Sequence, residues 1–371
     1  MQILKGESEM RSLRSWLFLV PICFLSCLAL GWVSPAGAAG DTAKTPPPAA
    51  VEGEIQFEKP QEPCEPKAKE EECPTTFGPI ITDTAIPIDK GKFAIQPTFG
   101  LSVVTDALTR NWRRVSAGGN LKTYSMDWKF TYGLWDNLEV FAVIPYVHNW
   151  AGNVNEPGPN GERFAGFGGL GDINLTFKYR LVEETETRPT VTALFATDFP
   201  TGHFRHLNPG RLGTDELGGG AYAFTTGINM SKFVKPFIIY ANVWYTMQTA
   251  YSSREDRAGL VLDEDGNLVE GDPVASQLRN YPRDFVTLNL AAEYPLTQKW
   301  VALLELTSYW GAGRLFGHRA NLPAEALISV SPGIEYMATD KFSLALGLNI
   351  DVAGKNTEAA ITPLLSMVYA F

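Results

Sequence analysis

From Lys92 to the C-terminus, apolar and polar positions alternate with a period of two. In the stretch from Asp172 to Leu181, residues Ile173, Leu175, Phe177, Tyr179 and Leu181 fall on one face, and Asp172, Asn174, Thr176, Lys178 and Arg180 on the other. Such strict alternation is the mark of a strand whose two faces meet different surroundings. Tyr124–Leu134 repeats the pattern, with aromatic and apolar residues from Tyr124 to Leu134 against Ser125, Asp127, Lys129, Thr131 and Gly133. Phe342–Val352 does so again. Twelve strands are predicted, beginning near Lys92, Thr123, Leu138, Asp172, Thr190, Ala221, Pro236, Phe285, Trp300, Leu327, Phe342 and Ala359. The third has the least regular pattern, because Phe141, Val143 and Val147 blur its polar face.

The links between these strands are of two kinds. Those at Trp135–Asn137, Val182–Arg188, Ser231–Phe233, Pro295–Lys299 and Thr339–Lys341 are short. Those at Thr105–Lys122, Ala151–Gly169, Pro200–Gly220, Ala250–Arg283 and Gly311–Glu325 are long. Long and short alternate up to a tight last hairpin at Gly354–Thr357. An antiparallel barrel with an even number of strands collects its short turns at one end and its long loops at the other, whereas a soluble sandwich has no reason to sort them. The apolar faces of the predicted strands carry no Asp, Glu, Lys or Arg, while the opposite faces are rich in small polar residues with scattered charges. Apolar outside and polar inside is the arrangement that lipid imposes. The expected fold class is therefore all-β: a transmembrane antiparallel β-barrel of about 12 strands with short periplasmic turns and long extracellular loops. Trp128, Trp135, Tyr146, Trp150, Tyr179, Tyr245, Trp300, Trp310, Tyr336 and Tyr369 lie mostly near strand ends, where interfacial girdles belong.

The first eighty residues are of another kind. Lys5, Arg11 and Arg14 precede a largely apolar run from Trp16 to Val33, and Ser34–Ala39 offers a small-residue cleavage site. This reads as a secretory signal over residues 1–38, with Met1 or Met10 as the start. Residues 39–80 form a Pro- and Glu-rich segment that cannot bury a core, an acidic linker on the periplasmic side of a barrel spanning 81–371. Eight Glu against three Lys between Val51 and Cys73 supply five of the chain's ten net negative charges. That acidic balance excludes a nucleic-acid partner, which calls for a basic footprint. After cleavage Cys64 and Cys73 are the remaining cysteines, and an exported chain favours a disulfide between them.

The chain resembles the MetA-pathway phenol-degradation family of outer-membrane barrels over about residues 80–371. The resemblance rests on Thr82-Asp83-Thr84-Ala85 leading to Gly91-Lys92-Phe93, on Gly168-Gly169-Leu170-Gly171-Asp172-Ile173 with Lys178-Tyr179-Arg180-Leu181, and on Phe199-Pro200-Thr201-Gly202. It implies an outer-membrane location and a link to the uptake of aromatic or other hydrophobic compounds, and it carries no catalytic residues with it. Tyr369 and Phe371, alternating with apolar residues at the C-terminus, resemble the assembly signal read by the barrel-assembly machinery.

By strand parity, Asp127, Glu139, Asp172, Asp198, Glu293, Glu305, Glu335 and Asp351 face the lumen, with Lys129, Lys178 and Arg180. They are the candidate lining of a wet, net acidic pathway, or pairs that brace the barrel. No catalytic residue and no metal or cofactor site is assigned. Gly166–Gly171 fits G-x-G-x-x-G, yet a strand follows it where a dinucleotide site needs a helix. Asp263–Asn267 lacks the full ligand set of a calcium loop and reads as the tip of a surface hairpin. His203 and His206, with Arg205 and Arg211, read as a solvated loop. The functional expectation is a channel for passive passage of small solutes, aromatic or hydrophobic compounds among them, in contact with outer-membrane lipid and lipopolysaccharide. The alternatives are a non-conducting barrel that binds a partner through its loops or acidic linker, and an outer-membrane hydrolase. The oligomeric state is left open.

Overall fold

The computed structural model describes residues 76–262, 268–312 and 324–371, without the side chains of 253–278. The signal segment, Cys64 and Cys73, and Asp263–Asn267 lie outside the described residues. The strands are β1 (Phe93–Leu108), β2 (Arg114–Ser116), β3 (Asn120–Trp135), β4 (Leu138–Gly152), β5 (Phe164–Leu170), β6 (Ile173–Val182), β7 (Thr190–Phe199) and β8 (Ala223–Val234). They continue with β9 (Phe237–Gln248), β10 (Tyr251–Leu262), β11 (Leu268–Asn280), β12 (Asp284–Pro295), β13 (Trp300–Ala312), β14 (Glu325–Thr339), β15 (Phe342–Lys355) and β16 (Thr357–Ala370).

Twelve of these form one closed antiparallel wall in the order β1-β3-β4-β6-β7-β8-β9-β12-β13-β14-β15-β16, and β16 returns to pair with β1 from Ala94↔Ala370 to Leu108↔Thr357. Closure leaves no sheet edge at membrane depth, where an unpaired N–H or C=O has no water to turn to. Neighbouring residues show how the wall divides its surroundings: Leu304 is 55% exposed on the outside, while Glu305 is 1% exposed within. Leu290, Leu306, Leu346 and Phe195 likewise stand on the outer surface, and Thr192, Asn229, Ser231, Asn242 and Ser343 are buried inside. A closed barrel with that apolar exterior is a membrane-spanning barrel.

The long links are more structured than the alternation alone indicates. β5 prolongs β6 along β4, the two interrupted at Gly171 and Asp172, and β2 folds back on β1. β10 and β11 form a separate two-stranded hairpin outside the wall. The turn expected at Ser231–Phe233 lies instead at Lys235 and Pro236, because Lys232 and Phe233 stay in the ladder opposite Ile239 and Ile238.

Residues 76–92 change the domain boundaries drawn from sequence. They are neither solvated linker nor wall, because their backbone is bonded to inward side chains of the barrel from Glu335 to Glu139. The wall begins at Phe93, and the boundary at 80/81 falls inside this segment.

Candidate functional site

The segment from Thr76 to Asp89, called the strap below, crosses the lumen near the short-turn end and is held mainly by its main chain. Glu305, on β13, accepts the amides of Ile80 (2.9 Å), Ile81 (3.1 Å) and Thr82 (2.6 Å). Glu335, on β14, accepts the Thr76 hydroxyl at 2.7 Å and the Phe77 amide at 3.4 Å. Asn242, on β9, accepts the Asp83 amide at 3.0 Å and donates to the Asp83 carbonyl at 2.9 Å. Ser231 accepts the Ala85 amide, Thr192 donates to the Ala85 carbonyl, and Glu139 accepts the Ile88 amide at 2.7 Å. An extended chain has no internal partners for its backbone, so in a buried place the wall must supply them.

Electrostatics centre on Asp83. Its carboxylate lies 3.4 Å from Lys178 Nζ and 3.7 Å from Lys129 Nζ, and accepts from Asn229 at 2.7 Å. Lys178, 1% exposed, also reaches Glu139 at 2.8 Å and the Thr84 carbonyl at 3.0 Å. Charges this deep persist only when paired. Lys129 sits 4.1 Å from the centroid of the Phe141 ring. That contact explains why β4 has an irregular polar face: Phe141 points inward as a surface for lysines.

Packing completes the closure. Ile80 rests on an inner cluster of Val301, Leu303 and Ala345. Gly133 is required where the strap rises to meet β1, since a Cβ there would lie 2.1 Å from the Asp89 carbonyl oxygen. Gly91 makes the turn with φ +76° and donates to the Gly133 carbonyl at 2.8 Å.

Above the strap the lumen holds a cavity of about 460 Å³. Phe77–Thr84 form its floor, and Asp127, Lys129, Phe141, Asn174, Asp198 and Trp244 are among its walls. Of the residues predicted to line the lumen, Asp127, Lys129 and Asp198 face this cavity. Glu139, Lys178, Glu305 and Glu335 are gathered instead on the strap. Glu293 is buried beside them and accepts the Tyr240 hydroxyl at 3.0 Å. Three candidates do other work. Asp172 accepts the amides of Gly202 and Gly219 in the loop after β7, Arg180 donates to the Asp136 carbonyl at a short turn, and Asp351 accepts from Ser329 and from the Ala360 amide. At the short-turn end Glu139, Glu305 and Glu335 thus accept main-chain donors of the strap, and Lys178 pairs with Glu139 and Asp83. The strap was missed because sequence parity speaks only of strands. The available signal was the change from an acidic, proline-rich stretch to Phe77, Ile80, Ile81, Ile86 and Ile88 just before the first strand.

At the C-terminus, Phe371 donates its amide to the Phe93 carbonyl at 2.8 Å and its ring lies 5.6 Å from that of Phe93. Tyr369 packs on Phe371 at 4.7 Å. With Trp300 and Tyr336 at 4.6 Å and Phe237 and Tyr294 at 5.2 Å, they form an aromatic belt round the short-turn end.

The wall, its belt and its polar lumen define a membrane β-barrel of the outer-membrane type. The chain belongs to the family described as "Putative MetA-pathway of phenol degradation", whose model matches residues 87–362. No curated protein matches. Among solved structures, an outer membrane channel of the COG4313 group from Pseudomonas putida F1 is similar over 80% of this chain and 100% of its own, with 16% identity and a TM-score of 0.58. The translocator domain of the autotransporter NalP from Neisseria meningitidis (12% identity, 76% and 90% covered) has a TM-score of 0.41. The toluene transporter TbuX from Ralstonia pickettii (11% identity, 76% and 90% covered) has 0.37.

Proposed function

We propose that the protein is a gated outer-membrane channel for passive passage of small solutes, aromatic or hydrophobic compounds among them. Its long loops face the cell exterior and its N-terminal linker the periplasm. The observation that carries this reading is the cavity standing directly on the strap: a space of about 460 Å³, within the range of small-molecule sites, with a floor made by the strap instead of by barrel wall. Phe141 and Trp244 offer flat apolar faces there, while Lys129, Asp127 and Asn174 offer polar contacts. A solute resting on the strap leaves on the periplasmic side when the strap swings down, and no chemical step is needed. The family's description and the channel character of the Pseudomonas putida neighbour agree with it.

The strap also favours a second reading, a barrel that does not conduct and whose loops or acidic linker bind a partner. One experiment separates the two. In planar bilayers and solute-loaded vesicles, the wild type should show small, brief openings. Replacing Glu305 and Glu335 with Gln weakens charge-assisted bonds to the strap and turns amide donors toward its N–H groups. That variant should stay open longer and pass more solute. A folded barrel that neither conducts nor passes solute in either form sinks the channel and leaves the partner-binding reading.

A further inference from the structure

A second cavity lies at the long-loop end, apart from the strap and lumen cavity. Its volume is about 890 Å³. Phe167 and Leu170 of β5, Phe204 of the loop after β7, Tyr222 before β8 and Tyr251 of β10 supply aromatic and apolar surface. His203, Arg205 and Arg279 supply the charged or ionisable nitrogen groups, and no carboxylate is among the described residues that line the space.

The site is built rather than incidental. Asp172 clamps both ends of the loop after β7, accepting the amides of Gly202 at 2.9 Å and Gly219 at 2.7 Å. Leu217 donates its amide to the His203 carbonyl at 2.8 Å, closing the loop on itself. Asn149 of β4 donates to the carbonyls of Thr214 and Glu216, pinning the loop to the wall. His203 donates from Nδ1 to the Asp215 carbonyl at 2.7 Å, which leaves Nε2 as the ring's other polar atom, and its ring lies 5.5 Å from Phe167. Phe204 meets Tyr251 edge to face at 5.7 Å, and the Arg205 guanidinium lies 4.8 Å from the Phe204 ring centroid. Gly168 and Gly169 line the cavity without side chains to fill it. A Cβ at Gly169 would stand 3.0 Å from Leu217, another lining residue, whereas one at Gly168 would meet His148 and Tyr146, outside the lining.

We propose that this cavity binds a small planar aromatic carboxylate. Flat ring faces suit an arene. Two guanidiniums and an imidazole, with no acid among the described lining residues, suit its carboxylate, and Arg recognises a carboxylate in a planar two-point fashion. A preorganised loop spares the ligand the cost of ordering the site. The site stands whether or not the lumen conducts.

The test is calorimetry on the full mature chain in mild detergent, with 2-naphthoate as the probe and uncharged 2-naphthalenemethanol as the comparison. The wild type should bind naphthoate at least tenfold more tightly than the alcohol. Replacing Arg205 and Arg279 together with Ala should weaken naphthoate at least tenfold and the alcohol less than threefold. Phe204→Ala should weaken both. Lys299→Met, at a short turn and in the lining of neither cavity, should change neither, and because the readout is binding and not conductance, failure here is distinct from failure of the channel reading. Retained heat-resistant gel migration shows that each variant is folded. Equal binding of acid and alcohol, no loss in the double arginine variant, loss in Lys299→Met, or displacement of naphthoate by purified lipopolysaccharide would overturn the proposal.

Discussion

Glu305 near the short-turn end and Asp172 near the long-loop end perform the same elementary act: each carboxylate gathers main-chain amides of a segment that is not part of the wall. Around Glu305 the segment crosses the lumen, packs on Val301 and Leu303, and is tied by the paired charges of Asp83, Lys178 and Glu139. Around Asp172 the segment arches over the rim, and the space beneath it stays open. The same hydrogen bond thus builds a stopper where its surroundings are dry and charged, and a receptacle where they are wet and aromatic. What separates the two ends is the burial of the carboxylate and what lies behind the held segment.

The comparison predicts that damage at the strap end is felt as stability and permeability, and damage at the rim as local looseness. Lys178→Met is the sharpest case, since it takes the cation from buried Glu139 and leaves Asp83 with Lys129 and Asn229 alone. Removing one member of a buried ion pair typically costs about 3–5 kcal/mol. Denaturant-induced unfolding in lipid should show that loss, and bilayer recordings should show longer openings. If stability stays within about 0.5 kcal/mol of wild type, a range typical of surface changes, the contrast between the ends is lost. Gly133→Ala should cost less, on the order of 1–3 kcal/mol for an overpacked contact. Its added methyl meets the Asp89 carbonyl and pushes the end of the strap away from β3. Vesicle leakage of a small dye should rise in this variant, while rim binding of naphthoate stays unchanged.

At the rim the effects shrink. Asp172→Asn should loosen the loop after β7, speeding amide exchange at Gly202 and Gly219, with about 1–2 kcal/mol of local protection lost and global unfolding unmoved. Smallest of all is the turn at Asn160. The Asn160 side chain and the amide of Asn160 donate to the Glu162 carboxylate, holding its pKa below the ordinary carboxylate value. A lowered folded-state pKa gives order that is present above the ordinary value and lost as pH falls through the folded one. Amide exchange at Asn160, corrected for its intrinsic pH dependence, should therefore show less protection in acid. Glu162→Gln should abolish that trend without altering the barrel.

Strand number, order of links and the inner or outer side of each residue were legible because lipid enforces a strict period of two over every crossing. Leu304 and Glu305, adjacent in sequence, show how plainly that rule is written. The strap was illegible for the converse reason. Its residues obey no period, and its partners are scattered from Glu139 to Glu335, 51 to 259 positions away. Parity could say that Glu139, Glu305 and Lys178 point inward, but not that they meet a chain there instead of water. Thr82-Asp83-Thr84-Ala85, picked out as a motif outside any strand, was the trace of that contact. The rim cavity was hidden similarly: Phe167, Phe204, Tyr222 and Tyr251 come from separate segments and meet only once the loop after β7 is clamped.

Recognition of the strap through its amides has a consequence for how its sequence is free to drift. Glu305 reads three consecutive N–H groups, which every residue but one type presents identically. Side-chain identity at Ile81 is therefore nearly invisible to the carboxylate, and exchange there for other residues of similar size should pass unnoticed. Proline is the exception, because it deletes the donor itself. The prolines of this stretch, Pro79 and Pro87, stand immediately before amides that the wall uses, at Ile80 and Ile88, and never on them. The grammar of the strap is thus permissive in vocabulary and strict about a single forbidden word.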